Sequence, residues 1–233
     1  MKKQIAMILV LALLALCITG CGAKQPEPSI QWRVDTTGKY LNDDTVQSLV
    51  CVQATQGTNA RVLLYEKSTE NGKTVWTQTL ECDGLIGKEG LGKTKEGDNK
   101  TPIGDFGILQ AFGIKKNPGT SIPYVDVTED IYGCCHEIAY NQLVSINDYP
   151  HDCAEDEHMI DYSPEYNYGL FLDYNSERTV GKGNCIFFHC TGANTYTGGC
   201  IAVAEENLVQ IMKAVDINSR VIIDYAPSSY YSE

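Results

Sequence analysis

The stretch of residues 186–203, IFFHCTGANTYTGGCIAV, places a histidine and a cysteine on either side of one short loop. His189 follows an apolar run of one isoleucine and two phenylalanines, which is typical of the end of a buried strand. Cys200 follows Gly198 and Gly199, and paired glycines before a cysteine indicate a tight turn with backbone N–H groups near the sulfur. The sequence therefore predicts a nucleophile and a base in this stretch.

Short apolar, β-rich segments recur along the chain between polar or glycine-containing turns. The segments are residues 49–54, 61–65, 75–80, 106–111, 168–174, 184–189 and 220–225. So many strands with polar connections favour a β-sandwich or barrel over alternating strands and helices. Residues 205–215 predict one helix, because apolar residues recur there at helical spacing and glutamates occupy the end that favours carboxylates.

A second informative stretch, residues 84–107, reads GLIGKEGLGKTKEGDNKTPIGDFG. Its glycines and lysines are reminiscent of a phosphate-binding loop, but no helix pattern follows it, so we expect no nucleotide site. Residues 101–104, TPIG, predict a constrained turn that leads into a strand.

The N-terminal residues predict export and membrane attachment. Two lysines precede an apolar run over residues 6–18, which is shorter than a bilayer-spanning helix of roughly 20 residues but suits a secretory signal. The run ends in ITGC, which resembles the lipobox of bacterial lipoproteins, in which the cysteine sulfur receives diacylglycerol and the signal peptide is cut before that cysteine. We therefore expect a signal peptide over residues 1–20, a lipid on Cys21, and an extracytoplasmic protein anchored to the cytoplasmic membrane and facing the cell wall.

The remaining chain predicts one domain of ordinary size between two polar ends. Residues 21–47 read as a tether, residues 48–226 as a domain large enough to bury its own core, and residues 227–233 as a tail. We expect a monomer. The net charge of -12 argues against nucleic acid as a partner, because phosphates require clusters of lysine and arginine. The acidic run at residues 155–157 is typical of a solvated surface.

Ten cysteines in an exported chain predict some disulfides. A local bond from Cys134 or Cys135 to Cys153 is our first expectation, because it would close a short loop. The same region also contains residue types that bind zinc, namely Cys134, Cys135, His136, His151, Cys153 and His158. A metal-held region is thus an alternative, but the spacings fit no regular ligand pattern, and we expect no metal and no cofactor.

Three segments in this order resemble the catalytic domain of the L,D-transpeptidase (YkuD-type) family. They are EGDNKTPIGDFG at residues 96–107, the strand that ends in His189, and the TGGCI turn at residues 197–201. The family signature is a histidine at a strand end, a variable loop, then Ser or Thr, one residue, Gly and Cys, followed by a helix. The resemblance covers roughly residues 48–225. It implies a mainly β, L,D-transpeptidase-like β-sandwich with one helix following the cysteine.

The resemblance also implies a cysteine enzyme that acts on the stem peptides of cell-wall peptidoglycan. The Cys200 thiolate attacks the carbonyl that joins the third stem residue to the terminal D-alanine, which leaves as a thioester forms. An amine of a second stem then gives a 3–3 cross-link, whereas water gives L,D-carboxypeptidase activity. His189 acts as base, and the backbone N–H groups of Gly199 and Cys200 bind the oxyanion.

Three neighbours have supporting roles in this interpretation. In the family, the backbone carbonyl of the residue after the histidine orients its ring, and that residue here is Cys190. Thr197 stands at the Ser/Thr position and is expected to brace the loop, while Gly198 makes the turn sterically easy.

The sequence departs from the family pattern at one spacing and two residues. The interval from His189 to Cys200 is shorter than the common one, Gly198 stands where many members carry histidine, and Ala202 stands where many carry arginine or asparagine. These departures concern the substrate and the acceptor more than the nucleophile. The alternatives are therefore an L,D-carboxypeptidase and a non-catalytic, wall-associated lipoprotein that binds stem peptides or zinc.

Overall fold

The computed structural model describes residues 38–150 and 156–227. The predicted signal peptide, Cys21, residues 21–37 of the predicted tether and residues 228–233 of the predicted tail lie outside the described residues. Within those two ranges, no helix is both long and apolar enough to cross a bilayer.

The described residues form mainly strands, which confirms the predicted fold class. The strands are β1 (Ser48–Ala54), β2 (Asn59–Glu70), β3 (Lys73–Leu85), β4 (Gly104–Phe106), β5 (Ile108–Gly113), β6 (Tyr124–Asp126), β7 (Ile131–Cys134), β8 (Gln142–Ser145), β9 (Glu157–His158), β10 (Gly169–Leu172), β11 (Phe187–Cys190), β12 (Ile201–Val203) and β13 (Arg220–Tyr225). The helices are α1 (Gly38–Leu41) and α2 (Glu205–Ala214), with short 3₁₀ turns at Met159–Asp161 and Glu165–Asn167. The helix predicted after Cys200 is α2.

Ten of the described strands form one sheet, in the order β4-β13-β1-β2-β3-β12-β11-β10-β5-β6. Only Gly107 separates β4 from β5 along the chain, although these strands stand first and ninth in the sheet. In a flat sheet they would lie roughly 38 Å apart at about 4.8 Å per strand. The sheet therefore curls on itself until its two ends meet. A second, small sheet has the order β8-β7-β9.

The curled sheet and α2 enclose the main apolar core. Both halves of the sheet contribute to it, for example through Val50 of β1 and Leu170 of β10. Helix α2 buries Leu208, Ile211 and Met212 completely, and burial of each such side chain contributes about 1.5–3 kcal/mol. Since α2 begins shortly after Cys200, this packing anchors the chain on one side of the predicted nucleophile.

Strand β11 divides the core from the predicted site. Phe188 and Cys190 face the main core, whereas Phe187 belongs to a second apolar cluster. Successive side chains of a strand point to opposite faces, so His189 shares the face of Phe187. The neighbouring strand β12 runs parallel to β11 and places Ala202 opposite His189.

Several predicted strands occur in the predicted place but with different ends. Residues 61–65 and 75–80 are parts of a long hairpin of β2 and β3. The single strand predicted over residues 106–111 is wrong, because Gly107 divides it into β4, which pairs with β13, and β5, which pairs with β10. The strand predicted over residues 184–189 begins later, after Cys185, whose φ is 48°.

The last part of the predicted tether, residues 38–47, packs on the domain. Tyr40 of α1 is buried in a cluster with Val46, Leu49 and Ile222. The Tyr40 hydroxyl and the Lys39 ammonium donate to Asp105 at 2.6 and 2.7 Å, and Arg220 donates to its second oxygen at 2.8 Å. Burial acts to raise the pKa of Asp105, but these donors outweigh it and the pKa lies below its usual value.

Candidate active site

His189 is held in one orientation by its neighbour in β11. Its Nδ1 lies 2.8 Å from the carbonyl oxygen of Cys190. A carbonyl can only accept, so Nδ1 carries the proton and Nε2 presents a lone pair. The ring packs edge-on against that of Tyr166, with ring centroids 5.4 Å apart. Burial lowers the pKa of the imidazole, although the hydrogen bond to Cys190 and the charge of Glu165 act to raise it. The His189 imidazole is therefore neutral, with its proton on Nδ1.

The Cys200 thiol lies beside the start of β11. The amide of Phe187 donates to Sγ at 3.3 Å, and the thiol donates to the carbonyl oxygen of Cys185 at 3.4 Å. Burial, and next the nearby Glu157, raises the pKa of the Cys200 thiol to about 12, although the Phe187 amide and Lys93 lower it. The two groups are thus a thiol and a neutral imidazole in this structure, and the reactive thiolate of Cys200 would form only by loss of the thiol proton.

Two threonine hydroxyls hold the backbone carbonyl of Cys200. Thr197 donates to this oxygen at 2.7 Å, and Thr101 donates to it at 3.1 Å. Thr101 is completely buried, and its hydroxyl accepts from the amide of Gly87 at 2.8 Å. The TPIG segment and the TGGC turn therefore meet at the peptide group that follows Cys200.

The turn before Cys200 requires glycine at one of its two glycine positions. Gly199 has a φ of 143°, and a Cβ there would lie 2.8 Å from the carbonyl oxygen of Lys100. A Cβ on Gly198 would meet nothing within 4 Å. The Gly199 amide donates to the Thr197 hydroxyl at 3.1 Å. One of the two amides predicted for the oxyanion is therefore engaged inside the loop in this structure.

Cys190 adjoins His189 in sequence but lies on the other face of β11. Its thiol is in the main core, 3.7 Å from the carbonyl oxygen of Tyr168, and burial raises its pKa to about 12. Of the two thiols, that of Cys200 shares a cavity with His189. In the described part of the chain, the free thiols include Cys51, Cys82, Cys185, Cys190 and Cys200. The disulfide predicted for Cys153 involves a residue outside that part.

His189 and Cys200 line a cavity of ≈ 350 Å³, within the size range of ligand sites. Two segments supply most of its lining. We call residues 183–202 the His–Cys wall. We call the other segment, residues 157–166, the glutamate wall; its lining residues are Glu157, Tyr162, Glu165 and Tyr166. Lys93 and Glu96, from the glycine- and lysine-rich stretch, also line the cavity.

Lys93 brings a buried positive charge to the cavity. Residues 87–94, GKEGLGKT, match the phosphate-loop pattern GxxxxGK[ST], and Lys93 is the lysine of that pattern. Within residues 86–103, all of them described, no helix follows the loop. Lys93 Nζ instead lies 3.0 Å from Asp98 Oδ1, with side chains only 4% and 8% exposed. Asp98 also accepts hydrogen bonds from three backbone amides. The Lys93 ammonium is therefore paired with a carboxylate of its own loop in this structure.

The predicted zinc-binding residues do not come together in the structure as far as it is described. The two ring nitrogens of His158 are each 2.8 Å from another group, the Asp161 carboxylate and the Glu129 carbonyl. Among the described residues, no group of three or more His, Cys, Asp or Glu side chains could hold a metal ion. His151 and Cys153 lie outside them, so the zinc alternative stays a prediction there.

Sequence reasoning missed the two carboxylates of the glutamate wall. The run at residues 155–157 predicts a solvated surface, which is wrong for Glu157, because its carboxylate accepts from the Tyr166 hydroxyl at 2.7 Å inside the cavity. Its strand β9 has only two residues, too few for an alternating pattern. Thr101 carried a usable signal, since it opens the TPIG segment, but its contact with Cys200 is between residues far apart in sequence.

One comparison with known proteins identifies the family of this chain. The sequence profile of the L,D-transpeptidase catalytic domain (YkuD) matches residues 48–223. No curated protein matches the chain.

Three solved structures resemble the chain. The helical cell shape determining protein Pgp2 from Campylobacter jejuni is 17% identical, and the match covers 82% of this chain and 55% of that one with a TM-score of 0.39. The Ldtfm–avibactam carbamoyl enzyme is 14% identical, and the match covers 77% of this chain and 49% of that one with a TM-score of 0.35. An L,D-transpeptidase from Stackebrandtia nassauensis is 12% identical, and the match covers 78% of this chain and 56% of that one with a TM-score of 0.31. The chain spans about half the length of these structures.

Proposed function

This chain belongs to the family of L,D-transpeptidase catalytic domains, and on that premise we propose that it forms 3–3 cross-links between peptidoglycan stem peptides through a thioester on Cys200. The observation that carries this proposal is the shared cavity, in which a thiol and an imidazole with a free Nε2 lone pair both line the same space. The substrate is a stem peptide that ends in D-alanine.

The first half-reaction uses the neutral resting pair. His189 Nε2 takes the proton of the Cys200 thiol while the sulfur attacks the carbonyl carbon before D-alanine. The carbon–nitrogen bond then breaks, the amine of D-alanine takes the proton from His189, and a thioester remains. The Cys190 carbonyl keeps the imidazole ring in place throughout, because it binds the Nδ1 proton.

The oxyanion of the first half-reaction needs backbone donors near Cys200. We propose the Cys200 amide as one donor, held in position by the two threonine hydroxyls on the following carbonyl. The Gly199 amide becomes the second donor when it turns from the Thr197 hydroxyl toward the substrate. Such donors typically contribute about 2.7–4 kcal/mol each at the transition state.

The second half-reaction decides between two outcomes. An amine on the third residue of a second stem attacks the thioester and gives the cross-link, whereas water gives the trimmed stem of an L,D-carboxypeptidase.

We further propose, from the lipobox-like ITGC and the apolar run before it, that a lipid on Cys21 anchors the protein outside the cytoplasmic membrane as a monomer facing the wall.

Release of D-alanine from tetrapeptide stems by the purified protein tests this function. We expect release by the wild type and by Cys190→Ser, whose thiol lies on the other face of β11, and at least a thousandfold slower release by Cys200→Ser. Mass spectrometry of the peptide products measures the ratio of cross-linked to trimmed stems. Equal release by the Cys200→Ser variant and the wild type would refute the proposal.

A further inference from the structure

Glu157 is a partly buried residue whose carboxyl group lies in the cavity that Cys200 lines. It pairs with Gly133 across β9 and β7. A Cβ on Gly133 would lie 3.3 Å from Cys185 Sγ and 3.6 Å from Glu157 Cβ, so the missing side chain lets Glu157 and Cys185 share one space. The Cys185 carbonyl in turn accepts from the Cys200 thiol at 3.4 Å. Glu157 and Cys200 line the same cavity, and the charge of Glu157 acts to raise the pKa of the Cys200 thiol.

Among the residues that the structure describes, the Glu157 carboxylate has one hydrogen-bond partner, which is neutral, and it pairs with no cation. Tyr166 donates to Oε2 at 2.7 Å, and the described residues give the other oxygen, Oε1, no hydrogen bond. Tyr166 also packs edge-on against His189, so one tyrosine side chain contacts both the Glu157 carboxylate and the imidazole. The cavity's Lys93 is paired with Asp98, so the charge of the Glu157 carboxylate can be compensated by a positively charged or hydrogen-bonding group of a ligand.

We propose that Glu157 is the residue that receives the acceptor amine, binding its ammonium group and removing a proton so that the thioester is attacked by an amine rather than by water. The inference rests on the proposed thioester at Cys200 and concerns only the second half-reaction. Burial raises the pKa of Glu157, although the hydrogen bond from Tyr166 acts to lower it. The raised pKa makes the carboxylate a stronger base than an exposed one.

The step balances without any further reactant. The ammonium group of the acceptor gives one proton to the Glu157 carboxylate and becomes a neutral amine. Its nitrogen attacks the thioester carbonyl, the carbon–sulfur bond breaks, and an amide bond forms. The nitrogen loses a second proton to His189 Nε2, which passes it to the Cys200 sulfur as it leaves. The proton on Glu157 returns to water when the product departs.

The test compares two products of one reaction. The purified full chain is incubated with a tetrapeptide stem as donor and a stem peptide with an amine on its third residue as acceptor. Amide product, hydrolysed product and the thioester on Cys200 are measured by mass spectrometry. For Glu157→Gln, which keeps an oxygen for Tyr166, we expect thioester formation within about twofold of wild type and an amide-to-acid ratio at least tenfold lower.

Glu96→Gln is the matched control, since it removes a cavity carboxylate that lies outside the glutamate wall, and it should leave the ratio within about twofold. An unchanged ratio for Glu157→Gln overturns the inference, and so does wild-type thioester that yields only acid. A wild type that forms no thioester refutes the proposed function instead, which separates the two failures. Thermal unfolding of each variant shows whether it folds, and Glu157→Asp, which retains a carboxylate, should recover part of the ratio.

Discussion

The His–Cys wall and the glutamate wall line the same cavity but are held by different contacts. The His–Cys wall is fixed by the register of β11 and β12 and by two threonine hydroxyls on one carbonyl. The glutamate wall rests on aromatic contacts, in which Tyr166 meets Phe187 at 5.5 Å and Tyr162 stacks on Tyr166 at 5.0 Å. We infer that thioester formation depends on the first wall and acceptor choice on the second.

Removal of the base should have the largest effect and should fall on the first half-reaction. We expect His189→Gln to slow thioester formation by about 10²–10⁴-fold, the usual contribution of a general base. Rapid-quench mass spectrometry of the acyl-enzyme measures this rate. If the variant slows only the amide-forming step, the division of labour between the walls is wrong.

Alkylation of Cys200 should depend on pH without a plateau. Because burial raises the pKa of this thiol to about 12, the thiolate fraction grows about tenfold for each pH unit up to pH 9. Iodoacetamide labelling should therefore rise about a hundredfold between pH 7 and pH 9. Peptide mapping separates Cys200 from the partly exposed Cys82. A rate that is already constant below pH 7 would indicate a thiolate–imidazolium pair instead.

The two glycines of the TGGC turn offer a matched pair of variants. Gly199→Ala should lower the free energy of unfolding by about 1–3 kcal/mol and slow thioester formation at least tenfold, because a Cβ at this φ meets the Lys100 carbonyl. Gly198→Ala, which meets nothing within 4 Å, should stay within about 0.5 kcal/mol of the wild type. Thermal unfolding and D-alanine release measure both quantities, and equal behaviour of the two variants would contradict the turn geometry.

The smallest effect is expected at the mouth of the glutamate wall. Tyr162 is 41% exposed and stacks on Tyr166. Tyr162→Ala should raise the KM for the acceptor about threefold and leave the rate of thioester formation unchanged, because the ring only extends the binding surface. Steady-state kinetics at varied acceptor concentration measure this difference, and an effect on the donor alone would assign Tyr162 to the other half-reaction.

The sequence predicts the two walls to different degrees, for physical reasons. His189, Cys200 and the turn between them lie in one short stretch, so local pattern and the family resemblance are enough to identify them. Thr101 and Cys200 are joined by a hydrogen bond between distant residues, and the hidden position of Glu157 depends on a two-residue strand facing a glycine. Local patterns contain no information about such contacts. Gly107 shows the same limit, since one residue there joins strands at opposite ends of the sheet order.

The most direct test of the central claim is the mass of the protein during turnover. With a tetrapeptide stem and a rapid acid quench, we expect one acyl-tripeptide adduct, mapped to Cys200 and absent from Cys200→Ser. An adduct on Cys190, or steady D-alanine release with no adduct on any cysteine, would contradict it.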